Sequence, residues 1–252
     1  MPRTERSGLH ASPAGGNVPL SGLVAIVGCD GTGKSSLTTD LVAHFSIMGP
    51  TERRYLGLVS GEVGEKLRRF PFIGGKLEPH LARKAALAQD MQRQVPGLKT
   101  ALVMYLLSWW RAVHFWYAHR RSRRGTLVIT DRYPQAQVPG FRYDGPGLGT
   151  RRSDNRLIRW LALHEQRLYQ RMERLQPNLV VRLGIDVETA RQRKPDHAPA
   201  ELHDKIATMA CLHYAGAPLV EIDTRRNYSE VLHELVDVIE AALLPSPSDH
   251  HS

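Results

Sequence analysis

The sequence predicts an α/β fold: a parallel sheet of about five strands with helices on both faces. Two observations predict it. Short apolar, β-branched runs alternate with longer segments whose apolar residues recur at helical spacing, the order that builds a parallel sheet covered on both sides. Charged residues also gather where the apolar runs end, at Asp30, Asp131, Arg132 and Asp186. The carboxyl ends of strands are where open sheets of this kind bind ligands. With 252 residues, the chain can bury the core of one large domain.

Each element follows in order. Val24 to Val27 is apolar and mostly β-branched, so it reads as a buried strand. Leu37, Leu41 and Phe45 then mark a helix that opens near Lys34. A second strand is expected over 53–59, "RRYLGLV", followed by an irregular stretch at 61–81. A long helix is expected from Gly97 to Ser122, ending in the basic run "RRSRR", where cations suit the helix carboxyl end. "TALVMYLLSWWRAVHFWYAH" within it carries Arg111 and His114 near its middle, which argues for a buried helix over a membrane span. Trp109 and Trp110 are expected in the core. A strand over 126–130 leads to Asp131, Arg132 and Tyr133. The segment 134–155 is a long Gly- and Pro-rich loop carrying Arg142, Arg151 and Arg152, and loops of that length in compact domains are functional or disordered. A helix over 156–175, a strand in "PNLVVRLGID", short helices around a basic break, a strand in "PLVEID" and an amphipathic helix from Tyr228 complete the chain.

The break after the first strand carries the most chemistry. Gly28 to Ser35, "GCDGTGKS", fits G-x-x-x-x-G-K-[ST] with a strand before it and a helix after it. Gly28, Gly31 and Gly33 let the backbone wrap tightly. Its N–H groups and the helix amino end then face inward and bind phosphate oxygens. The whole stretch Gly28, Cys29, Asp30, Gly31, Thr32, Gly33, Lys34, Ser35 and Ser36 is the expected nucleotide-binding set. Lys34 would reach the β- and γ-phosphates, and the Ser35 hydroxyl would ligate Mg²⁺. Cys29 is read as a small filler within the loop.

Composition bounds the setting. The net charge of +9 suits phosphorylated small molecules, nucleic acid or anionic lipid. The two cysteines, Cys29 and Cys211, are far apart and have no metal spacing, which points to a reducing, cytoplasmic compartment without disulfides or zinc. Residues 1–19 and 245–252 are polar and read as disordered tails, leaving one domain over 20–244.

Four features resemble the thymidylate-kinase-like P-loop nucleotide kinases. The loop "GCDGTGKSS" has an acidic third position, "DRY" follows a buried strand, "YLLSWWRAVH" places an Arg and a His three apart on an apolar helix, and "IDVETARQRK" is similar to the family's approach to its lid. The resemblance implies a three-layer P-loop kinase fold with a lid at about 187–205, using ATP and Mg²⁺. It implies that Asp131 holds water around Mg²⁺ or orients the acceptor, and that Arg132 clamps phosphates. Asp30 would approach the acceptor's sugar hydroxyl or a magnesium-bound water, and Arg111, Arg132 and Tyr133 would contact the acceptor. Arg191, Arg193 and Lys194 would close over the ATP phosphates.

The chain also departs from that family. Gly31 stands where some members carry a catalytic arginine, so the charge would come from Arg191 or Arg193. "DRYPQAQVPGF" lacks the Tyr-Gln pair that reads thymine, and "YLGLVSGE" replaces the usual turn after the second strand. The expected reaction is γ-phosphoryl transfer from ATP to a small acceptor, with a dTMP-like nucleoside monophosphate leading. A nucleoside, a sugar or a specialised metabolite is the alternative. The other class weighed is a nucleotide switch or a nucleic-acid binder. An N-K-x-D-like guanine motif is absent, and the aromatics of "FWYAHRRSRR" are expected inside, so nucleic acid is not the favoured partner. The partner expected is the small-molecule acceptor, with a homodimer also considered and no membrane.

Overall fold

A computed structural model describes residues 20–58, 97–149, 153–195 and 197–244. The expected tails, the irregular stretch 61–81, Val59, Arg151 and Arg152 lie outside the described residues.

Five parallel strands form one sheet in the order β2-β3-β1-β4-β5: β1 Gly22–Gly28, β2 Thr51–Tyr55, β3 Leu127–Asp131, β4 Leu179–Gly184 and β5 Leu219–Asp223. The central strand β1 pairs Val24 with Ile129 of β3 and Ala25 with Val180 of β4. All seven of its residues are buried, because helices cover both faces.

The pleat of β1 divides the core. Val24 and Ile26 face a cluster with Leu37, Leu41 and Phe45 of α1 (Lys34–Ser46) and with Val231, Leu235 and Ile239 of the last helix, Tyr228–Leu243. Leu23, Ala25 and Val27 face the opposite cluster. It includes Ala112, Phe115 and Ala118 of α2 (Leu98–Ser122) and Leu168, Tyr169 and Met172 of α3 (Arg156–Glu173). The helices α4 (Val187–Arg193) and α5 (Pro199–Ala210) lie between β4 and β5 in sequence, and the last helix is α6. The three-layer α/β fold is therefore as the sequence predicts.

Two expectations are corrected. The second strand runs over 51–55 and not 53–59. It pairs with β3 as far as Tyr55 opposite Asp131 and stops where its partner stops. The long helix is also not buried all round. Ala101, Ser108, Arg111, Ala112, Phe115 and Ala118 face inward, while Leu106, Trp109, Trp110, Val113 and Tyr117 are exposed, Trp110 by 52%. The hydrophobic run populates both faces of α2, and only one meets the sheet. Neither Trp109 nor Trp110 is core. No helix among the described residues is long and apolar enough to cross a membrane.

Candidate functional site

The loop between β1 and α1 is shaped by its glycines. Gly31 and Gly33 have φ of +92° and +82°, the left-handed region that strains other residues. A Cβ on Gly31 would also lie 3.1 Å from the carbonyl oxygen of Ala190 in α4, so the loop and that helix meet backbone to backbone. Gly33 is the residue before α1. It offers no side-chain cap, and the first turn of α1 holds no acidic residue. The amino end of α1 thus presents uncapped N–H groups, a donor set suited to an anion.

Lys34 is folded back into the loop. Its Nζ donates to the carbonyl of Cys29 at 2.6 Å, and the Thr32 hydroxyl donates to the same oxygen at 2.9 Å. Burial, with added repulsion from Arg132, lowers the Lys34 ammonium to about 8. Burial pushes the Cys29 thiol up, so it is not a ready nucleophile. Ser36 is exposed on the first turn of α1.

Ser35 and Asp131 meet. The Ser35 hydroxyl donates to Asp131 Oδ2 at 3.0 Å, and the same oxygen accepts from Arg53 at 3.2 Å. Asp131 Oδ1 is buried without a hydrogen-bond partner among the described residues. A buried carboxylate oxygen left open is costly unless something else fills its valence. A hydroxyl beside a partly unsatisfied carboxylate is an all-oxygen donor pair, which fits Mg²⁺ and its retained waters.

On the other side of the loop, Asp30 binds two cations. Arg132 approaches Oδ1 at 3.3 Å and Lys205 approaches Oδ2 at 2.6 Å. Burial alone would raise this carboxyl, but Lys205, Lys34 and Arg132 hold it well below the usual range. Arg132 has φ +72° and turns back over the sheet end, where it also lies 3.6 Å from Asp144. Arg111 is fully buried, donates to Asp144 at 2.5 Å and lies 3.4 Å from the Tyr169 hydroxyl. Asp144, itself in the left-handed region, therefore ties α2 to the end of β3 through two arginines. Arg142 and Tyr143 both bond Asp204 on α5.

The remaining predicted residues are placed differently. Arg193 donates to the carbonyls of Gly31 at 3.2 Å and Thr224 at 2.9 Å. It borders a cleft of about 100 Å³ with Thr32, Gly33, Leu37, Thr224 and Tyr228. Arg191 and Lys194 are exposed, and Arg191 has no side-chain bond among the described residues. Asp186 caps α4 through Thr189. Tyr133 does not join the site. Its hydroxyl donates to Leu175 O at 2.5 Å and lies 3.0 Å from His119 Nε2, inside the core. Arg132 in its positive-φ conformation turns the chain, so the two neighbours point opposite ways.

Sequence reasoning missed Asp144, Lys205 and Arg53. Lys205 had a signal: it shares the inward face of α5 with Leu202 and Met209. A larger cleft of about 430 Å³ is lined by Trp116, His119, Leu175 and three arginines. It lies at the carboxyl end of α2, near the start of β3, so size does not mark the chemistry here.

No model of a known protein family matches the chain. It is similar to proteins of Escherichia coli strain K12. It is 48% identical over 227 residues to the one named uncharacterized ATP-binding protein YghR, covering 90% of each chain. It is 47% identical over 221 residues to the one named uncharacterized ATP-binding protein YghS, covering 88% of this chain and 93% of that one. A site built on a glycine loop, a buried lysine and a serine–aspartate pair thus sits in a chain that belongs to the family of YghR and YghS.

Proposed function

We propose that this protein is a kinase of the thymidylate-kinase-like class, which moves the γ-phosphoryl group of ATP to a small anionic acceptor. A nucleoside monophosphate is the leading acceptor class. The observation that carries this reading is the Ser35–Asp131 pair, with an unsatisfied Asp131 oxygen, beside the buried Lys34. The names of the relatives, as ATP-binding proteins, support the donor.

Ser35 and Asp131 would hold Mg²⁺ between them. When bound, the metal neutralises phosphate oxygens and fixes their geometry. The chain's own residues do the rest. Uncapped N–H groups of the loop and of α1 bind the phosphates. Lys34 leaves the Cys29 carbonyl for phosphate oxygens, which relieves the cost of its buried charge. The cleft beside Thr32, Arg193 and Thr224 takes the donor's base. Arg132, held by Asp30 and Asp144, meets the acceptor's anionic group. An acceptor oxygen bonds to the γ-phosphorus while the bond from that phosphorus to the bridging oxygen breaks. ADP leaves with the electron pair, and the acceptor's proton passes to solvent. Such transfer asks the protein for alignment and charge, which this arrangement offers.

The test is ADP release from Mg²⁺–ATP across nucleosides, nucleoside monophosphates and sugars. Anionic acceptors are expected to give the higher kcat/KM, with dTMP weaker than for thymidylate kinases proper because the thymine-reading pair is absent. Lys34→Ala is expected to lower turnover by about 10³-fold with the fold intact. Wild-type turnover in that variant, or a clear preference for uncharged acceptors, overturns the corresponding part of the reading.

A further inference from the structure

Lys205 is a lysine on the apolar face of a helix. It follows Leu202 by three residues and precedes Met209 by four, and its side chain is only 11% exposed. Lysine is almost never buried this far without a specific partner. The partner is Asp30, the third residue of the phosphate loop, at 2.6 Å.

The charges there do not balance. Lys205 and Arg132 share the single carboxylate of Asp30, and Arg132 reaches Asp144 only at 3.6 Å. Lys34 bonds a backbone carbonyl. Asp131, the other carboxylate at this end of the sheet, is bonded to Ser35 and Arg53 instead. A local excess of positive charge in a water-poor site favours an incoming anion.

Other sources of charge for the end of a bound triphosphate are placed less well. Gly31 has no side chain. Arg193 spends its guanidinium on the carbonyls of Gly31 and Thr224 beside the smaller cleft. Arg191 is exposed and has no bond among the described residues. Arg132 and Lys205 do not line that cleft; both meet Asp30, the third residue of the loop.

We propose that Lys205 is the specificity residue that recognises the γ-phosphate, held on Asp30 until a triphosphate arrives. This rests on the reading of the site as one for ATP. The ammonium carries three donors on a flexible stem, so it keeps one N–H on Asp30 while another bonds a phosphate oxygen. ADP offers no such oxygen, so Lys205 makes the site prefer ATP.

The experiment is titration calorimetry of the full chain with Mg²⁺ and either ADP or the non-hydrolysable imido analogue of ATP. Lys205→Met is expected to shrink the preference for the triphosphate by about 10- to 100-fold, the range of one charge-assisted hydrogen bond, while ADP affinity changes little. Lys205→Arg is expected to keep most of the preference. Lys205→Gln serves if the methionine variant does not fold. If Lys205 only pins α5 to the loop, Lys205→Met and Asp30→Asn will both lower Tm and weaken the two nucleotides equally, which overturns the proposal. A preference unmoved by Lys205→Met overturns it alone. Wild-type protein that binds neither nucleotide overturns the kinase reading and this inference together.

Discussion

The two sides of the loop are built from different materials. The side toward the small cleft is mostly backbone: the positive-φ glycines, the uncapped amino end of α1, and two carbonyls tied together by Arg193. Its loop and helix end are contiguous in sequence and rest on β1, which is clamped between β3 and β4, and only Arg193 and Thr224 come from elsewhere. The opposite side is mostly long charged side chains. Arg111 comes from α2, Arg132 from the end of β3, Asp144 from a loop and Lys205 from α5, and ion pairs hold them together. Backbone sites tolerate side-chain change except where φ demands glycine. Ion-pair sites are brittle, because removing one member strands another charge out of water.

The largest effect that follows is on Asp144. Asp144→Ala leaves Arg111 fully buried with only the Tyr169 hydroxyl at 3.4 Å. The expected loss is about 3–5 kcal/mol of unfolding free energy, read by urea denaturation. Arg111→Met in the same chain should recover part of it. An Asp144→Ala protein as stable as wild type would mean that the acceptor side is not built on that ion pair.

Next is the pH dependence of Lys34. Its folded value of about 8 lies below the ordinary 10.5, so the folded state sheds the proton first. Below pH 8 both states are charged and the penalty is fully present. Between pH 8 and 10.5 the lysine's contribution to stability rises, by roughly 3 kcal/mol over the window. The measurement is unfolding free energy of wild type against Lys34→Met without nucleotide, with the gap closing as pH rises. Both chains carry Cys29→Ala, because the Cys29 thiol feels Lys34, and the buried tyrosines are common to both and cancel. A flat gap would show that the loop does not strain this charge.

The smallest effect separates two glycines. Gly33→Ala meets only the strain of φ +82°, with its nearest neighbour at 3.9 Å, and should cost about 1 kcal/mol. Gly31→Ala adds crowding against the Ala190 carbonyl at 3.1 Å and should cost about 1–2 kcal/mol. Equal losses in Tm would mean that α4 yields freely above the loop.

The same division governs what was legible in the sequence. The strands, the glycine loop and α1 are written in local pattern, and they appear in the structure within a few residues of where the pattern places them. The loop motif assigns Ser35 and the family resemblance assigns Asp131 to one metal, and the two side chains meet at 3.0 Å. Lys205 and Asp30 stand 175 residues apart, and no local rule joins them. Asp144 reads as a turn residue in "RYDGPG", and only tertiary packing puts two arginines on it. Tyr133 misleads because composition cannot reveal the φ of its neighbour. Trp109 and Trp110 mislead because an apolar run does not say which of its faces meets the sheet.

All four tryptophans, Trp109, Trp110, Trp116 and Trp160, lie on α2 and α3. Trp109 stands 6.0 Å from Trp116, and Trp160 stands 6.4 Å from Tyr105. The helices α1 and α6 on the other face of the sheet contain none. The tryptophan emission of this protein therefore originates in one helical layer, and Trp110 is the immediate neighbour of Arg111. Nucleotide that settles in the loop without disturbing that layer is spectroscopically silent. Emission that changes on nucleotide addition reports a change in that layer, which Arg111 and Asp144 tie to the end of β3. The molecule thus carries its own optical gauge of whether its two sides communicate.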